Sequence, residues 1–301
     1  MTATEQQTTP AQDRALTPIQ AAPAAEPFVP GRAGRAPRFG AAPSRATSAV
    51  ILTIAGILFL LPMAASAVFT FRANGGGYTV GHYLDLVNPD LEYNYDVLFQ
   101  GIQNSLILCV ITVAIILVLM VPTMVLIEMR YPKLRRIMEF VCLVPVTIPT
   151  IVLAVGLIPT YSVVSQVLGS DAWTLAFAIG VIALPYAYRP VAVNIAGVDV
   201  RTLTEAGRSL GASYPTVMWR IILPNLRRGI IAAAFITITV VLGEYTIATF
   251  LGRTTFQTGL VQVQHGDPYV AVIFALLALL FGFVLLLVIG RLGSIRPRNK
   301  D

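Results

Sequence analysis

The sequence predicts an all-α membrane protein with six transmembrane helices, on three observations. Hydrophobic residues make up 56% of the chain and charged residues only 12%, with a mean hydropathy of +0.75, whereas a soluble domain carries about 25% charged residues. The apolar residues come in continuous runs of roughly the 20 residues that a helix needs to cross about 30 Å of hydrocarbon. These runs do not alternate as the strands of a membrane barrel would, and a closed barrel is the only other spanning solution. Finally, the basic residues are segregated to one set of loops.

The six runs are Ala49 to Thr70, Ser105 to Ile127, Met138 to Val164, Trp173 to Val193, Ile230 to Phe250 and Tyr269 to Ile289. Ahead of them, residues 1–48 hold seven prolines, much alanine and no apolar periodicity. Such a tail cannot bury a core and is expected to be disordered. The first run is read as a retained helix, because a signal peptide has a short basic region and an apolar core of about 7 to 15 residues. Ala65-Ser66-Ala67 nonetheless has the form of a cleavage site, and cleavage there would leave five spans. The expected organisation is a tail over 1–48, a first helix and external loop over 49–99, a transmembrane domain over 100–290 with a cytoplasmic loop at 199–229, and a C-terminal tail over 291–301.

Basic residues in short loops favour the cytoplasmic side. Of the 21 Lys and Arg, all but Arg72 and Arg253 fall in the two tails, the second-to-third loop and the stretch from Arg189 to Arg228. The remaining loops carry Asp85, Asp90, Glu92, Asp96, Asp171 and Asp267. Both termini are therefore expected inside, and the formal charge of +6 reflects an inner-leaflet bias with no nucleic-acid partner. Cys109 and Cys142 lie within spans, far from any oxidising loop, which argues against a disulfide. No ligand-spaced His/Cys cluster points to a metal, and His82 and His265 stand alone in outer loops. No cofactor is expected. The chain also lacks a phosphate-cradling G-x-x-x-x-G-K-[ST] loop.

The cytoplasmic loop has its own local logic. Thr202 and Glu205 have the spacing of a capping box, which would start a helix at Leu203. Ala206, Gly207 and Gly211 leave little bulk on part of that helix, so another backbone or a large partner side chain can come close. Pro215 suits the first turn of a second helix, which is expected to end at Pro224. The shape is helix, turn, helix on the inner face; the plainer alternative is an amphipathic loop resting on the headgroups.

Glu205-Ala206-Gly207, Gly211 and Ile221-Ile222-Leu223-Pro224 resemble the EAA motif of the membrane subunits of bacterial ABC importers, differing at the third position, where Gly207 replaces alanine. The resemblance implies a type I permease-like fold over about residues 100–290, in the bacterial cytoplasmic membrane. It implies that Glu205, Ala206, Gly207, Gly211, Ile221, Leu223 and Pro224 form a coupling helix that docks on a separate ATPase. The implied partners are two copies of an ATP-binding subunit, a second permease chain, either different or a copy of this one, and an extracytoplasmic binding protein. Gln103-Asn104-Ser105, Pro145, Pro149, Leu242-Gly243-Glu244-Tyr245 and Phe250-Leu251-Gly252 extend the likeness. Their order is most similar to the spermidine/putrescine permease group. Related branches import ferric iron, phosphonates, thiamine or molybdate, and a membrane-embedded enzyme is the alternative from another class.

Glu244 is the one acidic residue well inside an expected span, and a carboxylate there is costly in lipid. It is either part of the substrate path, with Tyr186, Tyr188 and Tyr245 as faces for a cation, or a buried group hydrogen-bonded to a neighbour. Arg189, near the inner end of the fourth span, suits snorkelling to the interface. Pro145, Pro149, Gly156 and Pro159 interrupt the long third span, which is expected to be one kinked helix, either lining a path or simply packed.

Overall fold

A computed structural model describes residues 45–73 and 75–294, so most of the tail expected to be disordered lies outside the described residues. The chain divides into two units, Met1–Ala55 and Gly56–Asp301. Helix α1 spans Arg45–Phe69 and starts four residues ahead of the expected span; none of its residues is buried. Leu52, Leu58 and Phe59 are each at least 70% exposed, a surface that only hydrocarbon would solvate without cost.

The remaining helices belong to the second unit. Asp96–Arg130 forms α2, with Asp96 in its first turn and Arg130 in its last, each complementing the helix dipole. The expected third span is two helices rather than one kinked helix. Arg135–Leu143 forms α3, a 3-10 turn covers Val144–Thr147, and α4 covers Thr150–Leu168. Two prolines explain the break: Pro145 opens the 3-10 turn, and Ile148 is extended at ψ 124° as the residue before Pro149 must be.

Ala176–Ala196 is α5, and Val200–Ser209 is α6, which lies in the loop expected to be cytoplasmic. The expected fifth span is also broken. Arg227–Gly243 forms α7, 17 residues long and thus about 25 Å, at the lower limit of what crosses the hydrocarbon. Glu244 is extended, Thr246–Phe250 makes a single short helix, and Phe256–Gly266 forms α8. Pro268–Ser294 is α9. Among the described residues five helices are long and apolar enough to cross a membrane, and there are six if α7 and the helical stretch before it, which meet at a 73° bend, count as one span. Among the described residues the only β pairing is an isolated Arg72–Tyr78 bridge.

Two apolar clusters hold the helices together. In the inner one, Met120, Met124 and Val125 of α2 meet Ala187, Tyr188 and Val191 of α5 and Val217, Ile222 and Leu226 of the cytoplasmic loop. In the outer one, Leu108 and Cys109 of α2 meet Tyr161 of α4, Ile179 of α5, and Val241, Ile247 and Ala248. Both cysteines are free and buried, as expected. The His82 ring stacks on Tyr269 at 4.2 Å, and its Nε2 lies 3.1 Å from the Arg72 carbonyl. The Tyr95 hydroxyl donates to Asp267 Oδ2 at 2.9 Å, joining the outer ends of α2 and α9. Burial first, then that bond, push the phenol up to about 12, so it remains a donor throughout the physiological range.

A tight crossing lies between α5 and α7 at Gly229, where an added Cβ would lie 2.9 Å from the Pro190 carbonyl and 2.7 Å from Asn194 Cβ. Gly180 of α5 has open space at the same position. Gly229→Ala is therefore expected to cost about 1–3 kcal/mol through overpacking, read as a lower unfolding temperature in detergent, whereas Gly180→Ala is expected to leave it unchanged or raise it. Equal behaviour of the two variants would show that this crossing is not close-packed.

Candidate functional site

The cytoplasmic loop folds as a helical hairpin. Asp199, not Thr202, caps α6: its Oδ1 accepts from the Thr202 amide at 3.0 Å and its Oδ2 from the Thr202 hydroxyl at 2.7 Å. These two bonds hold the Asp199 carboxyl below the usual carboxylate range. The capping box expected at Thr202 and Glu205 is not formed. The helix begins at Val200, and Glu205 instead accepts from Arg201 Nε at 3.0 Å across one turn. A carboxylate three residues upstream is the stronger acceptor for the free amides of the first turn.

The far end of α6 depends on Gly211, whose φ of +85° is left-handed. The Ala212 amide donates to the Gly207 carbonyl at 3.0 Å and the Gly211 amide to Arg208 at 2.9 Å, the pattern of a Schellman cap. An added Cβ at Gly211 would meet nothing within 4 Å, so the glycine serves the turn and not a close approach. Gly207 does serve a close approach, but within the hairpin: its missing Cβ would fall 2.8 Å from Val217 and 3.2 Å from Ile221 on the returning arm.

That arm starts at Tyr214–Val217, capped by Ser213, and passes through a π-turn at Met218–Ile222 into Leu223–Asn225. Pro224 does not end it as expected. The π-turn shifts the pairing so that the Leu223 amide donates to Met218, and the Asn225 side chain supplies the bond to the Ile221 carbonyl at 2.7 Å. The sharp bend comes at Leu226, before α7. Ile221 and Leu223 are half-buried against the inner cluster. Glu205, Ala206, Gly211 and Pro224 are exposed. So are two residues that sequence reasoning passed over as site residues: Leu210 at the tip, 89% exposed, and Trp219 at 60%. A leucine directly before a helix-ending glycine was the available signal for the first.

The second candidate is the break after α7. Glu244 is 9% exposed, and its Oε1 accepts from the Ile247 amide at 2.6 Å, satisfying a donor at the start of the short helix. Gln257 Nε2 donates to the Leu242 carbonyl at 3.1 Å. The loop beyond is held by α2, where Asn104 Nδ2 donates to the Thr254 carbonyl at 2.9 Å and Ser105 Oγ accepts from the Phe256 amide at 2.8 Å. Gly101 permits this approach, since a Cβ there would lie 2.5 Å from the Thr255 carbonyl.

Beside the break is a mostly apolar cavity of about 670 Å³, with Ser105, Thr239 and Gln257 as its polar lining and Leu242 and Gly243 also in its wall. Glu244 does not line it. Of the aromatic residues expected near Glu244, Tyr245 and Tyr186 are 40% and 44% exposed, while Tyr188 is buried in the inner cluster, beside a small cleft with Glu128 and Arg135. Among the described residues no group of His, Cys, Asp or Glu could hold a metal ion.

A family model described as the binding-protein-dependent transport system inner membrane component matches residues 124–294. Among curated proteins, a probable ABC transporter permease of Sinorhizobium fredii is 24% identical over 256 residues, 78% of this chain and 44% of that protein. The spermidine/putrescine transport system permease PotC of Escherichia coli is 26% identical over 187 residues, 62% of this chain and 67% of that protein. PotC of Haemophilus influenzae is 31% identical over 109 residues, 36% and 41% respectively. The chain thus spans less than half the length of the first of these relatives. Since the family model covers more than half of this chain, and the hairpin with it, the protein belongs to the family of binding-protein-dependent transport system inner membrane components.

Proposed function

We propose that this chain is a transport subunit rather than an enzyme: the permease of an ATP-driven importer in the bacterial cytoplasmic membrane, with polyamines as cargo. The observation that carries the reading is the hairpin. It is locked internally at Gly207, rooted in the inner cluster, and presents Glu205, Ala206, Leu210 and Gly211 outward. A rigid, exposed tip in a chain with no phosphate-binding loop of its own is suited to receive work from a separate ATPase. Two ATPase copies, a second permease chain and an extracytoplasmic binding protein complete the assembly.

The polyamine assignment draws on the two spermidine/putrescine relatives and on Glu244. A polyamine crossing a dry stretch loses hydration from each ammonium, and a carboxylate there offsets part of that loss. The Ile247 amide fixes the orientation of the Glu244 side chain. One observation favours a second reading, in which the cargo is an anion such as a phosphonate or molybdate. Arg253 donates through Nη2 to Ser165 Oγ at 2.7 Å, and its Nε is buried with no hydrogen-bond partner, so guanidinium capacity remains for an anion.

Leu210→Asp places a charge where docking would bury it, at a cost of several kcal/mol, and leaves the φ of Gly211 undisturbed. The expected outcome is loss of the ATPase from complexes purified through a tag on this chain, with unchanged abundance in the membrane; retained ATPase and normal uptake would remove the hairpin from the docking surface. Uptake of labelled spermidine, iron(III) and phosphonate by cells with and without the chain decides the cargo. Glu244→Gln keeps an acceptor for Ile247 but removes the charge, and polyamine uptake is expected to fall about tenfold, equivalent to about 1.4 kcal/mol at the limiting step. Uptake unchanged by this variant would leave Glu244 a purely structural cap, and import of phosphonate alone would establish the anion reading.

A further inference from the structure

Helix α2 is tied to both candidate sites. Its last residue, Arg130, holds its guanidinium 5.7 Å from the centre of the Tyr214 ring, and Arg208 of α6 lies over the same ring at 4.3 Å. Tyr214 opens the returning arm of the hairpin, so α2 and both arms meet on one aromatic side chain. Toward the other end, Asn104 and Ser105 bind the backbone of the loop that follows Glu244. Asn104 and Arg130 belong to one helix, which runs on past the internal Pro122 without a break, and lie roughly 39 Å apart at 1.5 Å per residue.

The competing connection, α7, is covalently continuous with both sites but mechanically interrupted. It meets the hairpin through a 73° bend and stops at Gly243, where Glu244 turns extended. A displacement carried along α7 alone has a hinge at either end. We infer that α2 is the strut that transmits movement between the hairpin and the broken segment at Glu244, with Tyr214 as its inner joint and Asn104 as its outer one. Such coupling requires a contiguous, stiff element biased at both ends, and α2 is packed into both apolar clusters along its length. Tyr214 and Asn104 are positioning residues: neither is assigned to cargo or to nucleotide. The inference rests on the hairpin being the ATPase-docking surface.

The test uses the full chain with its native partners, and as cargo whichever labelled compound of the panel the wild type imports. The quantity read is cargo imported per ATP hydrolysed. Tyr214→Ala is expected to lower it about tenfold while the ATPase still co-purifies, and Tyr214→Phe to stay within about twofold of wild type, because the ring face carries the contact. Asn104→Ala is expected to give the same uncoupling, and the double variant no more than the worse single, since two breaks in one path do not multiply. Wild-type coupling in Tyr214→Ala, or a multiplicative loss in the double variant, would overturn the strut. Should Tyr214→Ala fail to accumulate in the membrane, Arg130→Gln, an exposed change at the same joint, is read by the same criteria. If Leu210→Asp keeps its ATPase, the docking reading falls, whereas the non-additivity of Tyr214 and Asn104 still decides whether α2 links the two sites.

Discussion

In hydrocarbon no water is available to a peptide group, so each N–H and C=O must find a partner within the protein. Unbroken helices meet this demand by themselves. This chain departs from them around Pro145 and Pro149 and again after Gly243, and at the second break named side chains take over the bonding. Gln257 takes the Leu242 carbonyl, Glu244 the Ile247 amide, Asn104 the Thr254 carbonyl and Ser105 the Phe256 amide. The polar residues of the outer half therefore read first as backbone substitutes. This changes the standing of Glu244, because a carboxylate engaged with a helix start is oriented as well as charged, and any part in cargo passage is played from that fixed position.

The same accounting explains the hairpin, although its tip is exposed. Asp199 and Ser213 cap the starts of its two arms, Gly211 closes the first, and Asn225 makes the bond that the π-turn before Pro224 leaves open. With its backbone satisfied locally and its arms in contact at Gly207, the hairpin can move as one body. Its apolar inner side is shared with α2 and α5, and its tip is left outside. An element that is stiff in itself and anchored on one side is suited to converting a push at the tip into helix movement.

Between hairpin and break, the two connecting helices differ in kind. The bend and the break at the ends of α7 make it compliant; α2 runs through, with side-chain ties to a site at each end. A transporter needs both properties, since a path must open while the scaffold around it stays intact. The cavity beside the break is lined by α2, α7, α8 and α9, so movement of α2 would change its walls directly.

The sequence by itself determined where the apolar runs fall, which loops are basic, and the residues of the EAA-like motif with their spacing. These are local quantities, and apolar content, charge and interval survive without coordinates. Tertiary structure decided where helices stop inside apolar runs. A run such as Met138 to Val164 records the cost of desolvating side chains and not the route of the backbone hydrogen bonds; likewise Ile230 to Phe250 hid the break at Glu244, because the groups that make it tolerable lie elsewhere, as with Ser105 and Phe256. The cap at Asp199 went unread since both Asp199 and Thr202 are sound capping residues, and only the position of the Thr202 amide selects between them. Gly207 and Gly211 look alike in one dimension. In three, one is a contact and the other a left-handed turn, because the fold places Val217 beside the first and open space beside the second.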